Sequence, residues 1–126
     1  MLNLDTHVLL FAVAGALTSS ERQLLSRARW SISAISLWEI AKLAQLGRIE
    51  VDLDDPEVVR TLGAVAVWPI TAEIAVTSTS LDLSSDPADE LIAATSVVHK
   101  VPLVTRDPTL RASRVVPLAL ARDREG

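Results

Sequence analysis

Apolar residues along the chain follow two rhythms: short unbroken runs typical of buried strands, and longer segments in which Leu, Ile and Val return at helical spacing. Residues 1–4 read as a strand ending at Asp5, after which Thr6 caps a helix through Val8, Leu9, Leu10 and Phe11 toward Gly15. Ser20-Glu21-Arg22-Gln23 has the form of a capping box, opening a helix that buries Leu24 and Leu25 and leaves Arg22, Arg27 and Arg29 to solvent. Residues 30–33 predict a second strand. The helix after it carries an apolar stripe of Ile35, Leu37, Ile40, Leu43 and Leu46 and stops at Gly47. A polar connection, 48–55, leads to a helix capped by Asp54 or Asp55, with Pro56 in its first turn, Val58, Val59 and Leu62 facing inward and Gly63 at its end.

Residues 65–68 predict a third strand, and Thr71 starts a helix from Ala72 to about residue 81. Asp86 caps a further helix with Pro87 in its first turn, Leu91, Ile92, Thr95 and Val98 on one face, and His99 and Lys100 in its last turn. Residues 101–104 read as a buried strand, 108–114 as a turn or short helix, 115–120 as a last strand, and 121–126 as a frayed tail. Strands alternating with helices predict an α/β protein with a parallel sheet and helices on both faces.

At 126 residues with 49% hydrophobic content, the chain fits one domain, 1–126, with a real core. It has no Cys, which excludes a disulfide framework and thiolate metal sites and suits a reducing cytoplasm. The run from Val8 to Leu17 has no preceding basic residue and an acid, Asp5, at its entry, so it is not read as a signal peptide. No stretch reaches the ~18 to 20 apolar residues of a membrane span. A net charge of -4 and a pI near 5.1 exclude broad electrostatic adhesion to nucleic acid, so any such partner needs a local patch. No glycine-rich nucleotide loop is present.

The candidate chemistry lies in the acids. Asp52, Asp54, Asp55, Asp82, Asp123 and Glu125 sit in polar runs and read as caps or solvated faces. Asp5, Glu39, Asp89 and Asp107 instead border apolar runs, and a parallel sheet allows them to converge on one cleft. Carboxylates ~5 Å apart repel by roughly 3 kcal/mol per pair at an effective dielectric of 20. Lys42 and Arg106 are too little positive charge for four acids. A divalent cation is the simpler compensation, and hard oxygen donors without Cys favour Mg²⁺ or Mn²⁺ over zinc.

Each acid also has a plainer reading. Asp86 reads as a cap, Asp89 as its reciprocal N3 partner, Ser36-Leu37-Trp38-Glu39 as a capping box, and Asp5 and Asp107 as turn or cap residues. His7 falls in a first helical turn and His99 in a last one. Trp30, Trp38 and Trp68 each lie in an apolar run and are expected in the core or an interface.

Four segments, Leu4-Asp5-Thr6-His7-Val8-Leu9-Leu10, Ser36-Leu37-Trp38-Glu39-Ile40-Ala41, Asp86-Pro87-Ala88-Asp89 with Ile92-Ala93-Ala94-Thr95, and Leu103-Val104-Thr105-Arg106-Asp107, together resemble the PIN-domain family. Within it they are similar to the VapC-type toxin ribonucleases of bacterial toxin–antitoxin pairs, in order and spacing, from residue 1 to about 120. The resemblance implies a three-layer α/β/α fold and Mg²⁺- or Mn²⁺-dependent endoribonuclease activity. It also implies that Asp5 and Asp89 are primary metal ligands, that Asp107 completes or orients the metal shell, and that Glu39 binds metal through water or positions the nucleophilic water. Thr6 and Thr105 would support these from behind. A small antitoxin and a homodimeric state are further expectations from the family. Glu90 departs from the pattern, standing where many members carry Arg, so RNA contact would fall to residues such as Lys42, Arg106, Arg111 and Arg114. The alternative is a catalytically weak or inactive PIN-like protein-binding module. A receiver-like phosphoacceptor domain is disfavoured, because Val67-Trp68-Pro69-Ile70 offers no acceptor Asp after the third strand.

Overall fold

The computed structural model describes residues 1–120. The expected frayed tail, 121–126, lies outside the described residues. Four short strands, β1 (Leu2–Leu4), β2 (Trp30–Ser33), β3 (Ala66–Trp68) and β4 (Leu103–Val104), pair only in parallel, in the order β3-β2-β1-β4. They alternate with helices α1 (Thr6–Val13), α2 (Ser19–Leu25), α3 (Ala34–Gln45), α4 (Pro56–Gly63), α5 (Ala72–Ser78), α6 (Pro87–His99) and α7 (Pro108–Arg111).

The first strand lies between the second and the fourth, so the connections run outward in opposite directions from β1. A parallel sheet opens a crevice at such a reversal, beyond the carboxyl ends of the strands on either side. Asp5 follows β1 and Asp107 lies just beyond β4. The topology therefore assembles one candidate pair of acids without any contribution from side-chain packing.

β1 is wholly buried, and Leu4, Val8, Leu9, Ile32, Ile40 and Val104 form the main core around it. A second cluster of Ile92, Ala93, Leu103, Leu110 and Val116 joins α6 to β4. The small Ala93 and Ala94 let α6 approach the sheet closely, and both are fully buried. Asn3 fixes its height. The buried Asn3 Nδ2 donates to the Ile92 carbonyl at 3.2 Å and to Ser96 Oγ at 2.9 Å, tying the strand that precedes Asp5 to the helix that carries Asp89.

Several local expectations change. α2 begins two residues early: Thr18, not Ser20, is its cap, with Glu21 N–H donating to Thr18 Oγ1 at 3.2 Å and Thr18 N–H to Glu21 Oε1 at 2.8 Å. Glu21 satisfies the box's acidic N3 position better than Gln23 because the same carboxylate also meets a cation, described below. The expected last strand at 115–120 reduces to a single bridge between Leu103 and Leu118, since Pro117 has no N–H with which to extend the ladder. Trp30 packs at the core edge with Nε1 donating to the Leu25 carbonyl at 2.9 Å, and Trp68 stacks on His99 with ring centroids 4.0 Å apart. Trp38 is 57% exposed and does not belong to the core. No helix among the described residues is long and apolar enough to cross a membrane.

Candidate active site

All four predicted acids line one cavity of about 380 Å³, shared with Asp86, His7 and Arg106. Asp5 is the innermost, only 4% exposed. Its Oδ2 accepts from Thr105 Oγ1 at 2.7 Å, whereas its Oδ1 is buried with no hydrogen-bond partner. Asp5 occupies the cap position of α1 without a side-chain cap bond. The plain reading of this residue as a cap is therefore set aside. Thr6 is the first helical residue rather than the cap.

Thr6 instead organises α3. Its buried hydroxyl donates to Glu39 Oε1 at 2.5 Å and lies 2.8 Å from Ser36 Oγ. α3 starts at Ala34, capped by Ser33, which places Glu39 in the second turn and ends its reading as a capping-box partner of Ser36. Ser36 and Glu39, three residues apart, share the helix face that meets Thr6.

Asp86 caps α6, its Oδ1 accepting from Asp89 N–H at 3.0 Å. The reciprocal half of the box goes elsewhere: Asp89 Oδ2 accepts from Ser85 Oγ at 2.8 Å, and Ser85 N–H donates to Glu90 Oε2 at 3.2 Å. Asp107 caps the short α7, with Oδ1 accepting from Thr109 N–H at 2.8 Å. Thr105 joins this loop to the deepest acid, because the hydroxyl that donates to Asp5 also accepts from Asp107 N–H at 3.1 Å.

Burial raises all three inner carboxyls above their ordinary range. Asp89 is pushed up to about 6, chiefly by loss of water; its Ser85 hydrogen bond opposes the shift, and Asp86, Asp5 and Asp107 add to it. Asp5 is raised mainly by desolvation, against the Thr105 hydrogen bond. Glu39 is raised by desolvation, against its bond from Thr6, with Asp5 and Asp86 adding to the rise. Loss of water is the main cause in each, neighbouring negative charge adds to it, and the nearby His7 only partly offsets it at Asp5 and Glu39.

Arg106 does not answer them. Its Nη2 and Nε grip the buried Glu21 carboxylate at 2.7 and 2.9 Å, Nη2 also meets the Ala16 carbonyl at 3.1 Å, and the guanidinium lies 3.8 Å over the Phe11 ring. Arg106, a cation the sequence places near the quartet, is thus committed to Glu21. Lys42 is exposed on α3 beside Trp38, donates to Gln45 Oε1 at 2.8 Å and lies outside the acidic cavity. Arg111 is occupied in part with the Thr105 carbonyl at 3.4 Å.

The Arg106 clamp holds the Asp107 loop against α1 and α2, and it draws the Glu21 carboxyl down to about 2, chiefly through the Arg106 hydrogen bonds. A lowered carboxyl stabilises the fold above its unfolded value near 4.5, and that contribution is lost as pH falls toward 2. Glu21→Gln is expected to cost about 1–3 kcal/mol at pH 7. It should also flatten the acid limb of stability between pH 4.5 and 2, a difference that denaturant melts across this range would reveal.

Among the described residues, no three acidic or histidine side chains converge closely enough to hold a cation by direct ligation as they stand. The donor chemistry nevertheless fits a hard divalent ion: every acid in the cavity presents oxygen, and Asp5 Oδ1 is a buried acceptor with nothing to accept. Sequence reasoning did not place Ser36, Ser85 or Glu21 as supports of the site. Ser36 could have been found from its spacing to Glu39, whereas nothing local links Glu21 to Arg106, 85 positions away.

A parallel sheet whose order reverses at β1, with carboxylates gathered at the reversal, defines an α/β protein with an acidic crevice. The family model for the PIN domain matches residues 3–115. Ribonuclease VapC22 of Mycobacterium tuberculosis is 36% identical over 123 residues, covering 88% of this chain and 90% of the relative. This chain belongs to the PIN domain family. Two solved structures share its fold at lower identity. One is a toxin–antitoxin complex from Klebsiella pneumoniae, with TM-score 0.72, 20% identity and coverage of 94% of this chain and 96% of that one. The other is VapBC2 from Rickettsia felis bound to a DNA fragment from their promoter, with TM-score 0.69, 18% identity and coverage of 94% and 97%.

Proposed function

We propose that this protein is a Mg²⁺- or Mn²⁺-dependent endoribonuclease that acts as the toxin of a bacterial toxin–antitoxin pair. The single observation that carries the metal and the chemistry is the buried, unpartnered Asp5 Oδ1 at the floor of a cavity lined by acids. The ribonuclease assignment is supported by the 36% identical relative.

Asp5 and Asp89 would hold the cation, with Asp107 completing its surroundings and Glu39 acting through water. When bound there, a divalent ion supplies electrostatic stabilisation to a phosphodiester and lowers the pKa of an attacking water. The chain's own groups do the rest. Thr105 orients Asp5, and its contact to Asp107 N–H keeps the β4 loop in register with β1. Thr6 and Ser36 set the rotamer of Glu39, leaving its second oxygen free to accept a proton from water. Lys42 and the solvent side of Arg106 are the proposed contacts to RNA. A small antitoxin, a homodimeric state, a single domain spanning 1–126 and a cytoplasmic location complete the reading.

The test is cleavage of a mixed pool of structured RNAs by purified protein free of antitoxin, with Mg²⁺, with Mn²⁺ and with EDTA. Cleavage that requires the metal and disappears in Asp89→Asn is the expected result. Equal behaviour of wild type and Asp89→Asn on a broad pool would instead favour a binding module built on the same fold.

A further inference from the structure

Asp86 has two oxygens and one structural duty. Its Oδ1 caps α6 by accepting from Asp89 N–H, while its Oδ2 makes no hydrogen bond to any described residue. The side chain is exposed toward solvent, yet it borders the same cavity as the four acids above. Glu39 of α3 and Asp89 of α6 line that cavity with it. Asp86 thus shares a cavity with acids that come from two different helices.

A cap alone does not need a carboxylate. Asn and Ser satisfy the same N–H groups about as well, so a charged residue here adds negative potential without adding capping strength. That potential is unfavourable to the metal-free protein, because it adds to the repulsion among carboxylates that share one cavity. It becomes favourable only when positive charge enters the cavity. The independent sign that such a ligand belongs there is the buried Asp5 Oδ1, which has no partner within the protein.

We propose that Asp86 is a fifth carboxylate of the cation site, acting on the bound divalent ion through its charge and an intervening water while it caps α6. This inference rests on the metal-dependent reading above. It extends the site outward along the first turn of α6, from the buried acids toward the solvent through which a hydrated ion must arrive. It also separates two roles within a single side chain, one for each oxygen.

The experiment is calorimetric titration of the metal-free protein with Mn²⁺, without RNA, for wild type, Asp86→Asn, Asp86→Ser, Asp5→Asn and the remote surface variant Glu73→Gln. Asp86→Asn and Asp86→Ser are expected to melt within a degree or two of wild type without metal and to bind Mn²⁺ about three- to tenfold more weakly. Glu73→Gln, which removes the same net charge elsewhere, should bind like wild type. Unchanged Mn²⁺ affinity in both capping-competent variants would overturn the proposal and leave Asp86 a cap only. Equal weakening in Glu73→Gln would overturn it as well, since overall charge would then account for the effect. If wild type and Asp5→Asn both fail to bind Mn²⁺, the metal-dependent reading falls and takes this one with it.

Discussion

Asp5→Asn is expected to abolish metal-dependent RNA cleavage while leaving the protein folded. The substitution keeps the size of the side chain and an oxygen that can accept from Thr105, so the bond across β1 and β4 has a replacement. It removes the charge of the most deeply buried acid of the cavity and converts the orphan Oδ1 position into either a neutral oxygen or an N–H donor. A neutral amide is a poor substitute for a carboxylate in holding a hard divalent ion. Loss of one electrostatic partner at a reacting centre costs about a hundredfold or more in rate, and the loss here should be at least that large. Single-turnover cleavage and a thermal melt of the same preparation decide the matter. Full activity in a well-folded Asp5→Asn would remove Asp5 from the chemistry, and an unfolded variant would transfer the test to Asp89→Asn, whose side chain is less buried.

The second large effect is on stability. Three inner acids with raised pKa values bind protons more tightly in the folded state than in the unfolded one. For Asp89, stability from this source is fully present below the unfolded value of 3.8 and is lost as pH rises through about 6. Glu21 acts in the opposite sense, stabilising above its ordinary value and weakening as pH falls toward 2. The metal-free protein should therefore be most stable near pH 4–5 and lose about 1–3 kcal/mol by pH 7, after allowance for the partial exposure of Asp89. Mg²⁺ or Mn²⁺ at a hundred times its dissociation constant should restore about 2.7 kcal/mol at pH 7. It should do little at pH 4, where protons compete for the same oxygens. Melting curves with and without Mn²⁺ at the two pH values would show the crossover. A metal-free protein that grows steadily more stable from pH 4 to pH 7 would contradict the assignment of these acids as an unanswered cluster.

The class of fold, and which acids line the cavity, could be read from the residues because both rest on local rules. Apolar runs alternating with helical stripes placed Asp5 and Asp107 after strands, and Asp86-Pro87 announced the helix that carries Asp89. Glu39 was legible as a candidate but not in its setting. The start of α3 at Ala34 moves it beyond the first turn, and only the packing of α1 on α3 brings Thr6 to its carboxylate. The partner of Arg106 was not legible for a similar reason. Its charge is evident in the sequence, but the Glu21 that neutralises it belongs to a helix whose start was misplaced by two residues, and their contact joins opposite ends of the chain. The strand expected at 115–120 failed on one residue, Pro117, whose missing N–H allows a bridge but no ladder.

The position of β1 between β2 and β4 also bears on when the protein can act during its own synthesis. Asp5 leaves the ribosome early, but Thr105 and Asp107, which hold and complete its surroundings, are made about a hundred residues later, and β1 has no second neighbour until β4 exists. Pairings so distant in sequence form slowly, after a large loop has closed. A partly synthesised chain thus carries Asp5 without Thr105 and Asp107, and the acidic cavity comes together only after residue 107 has emerged.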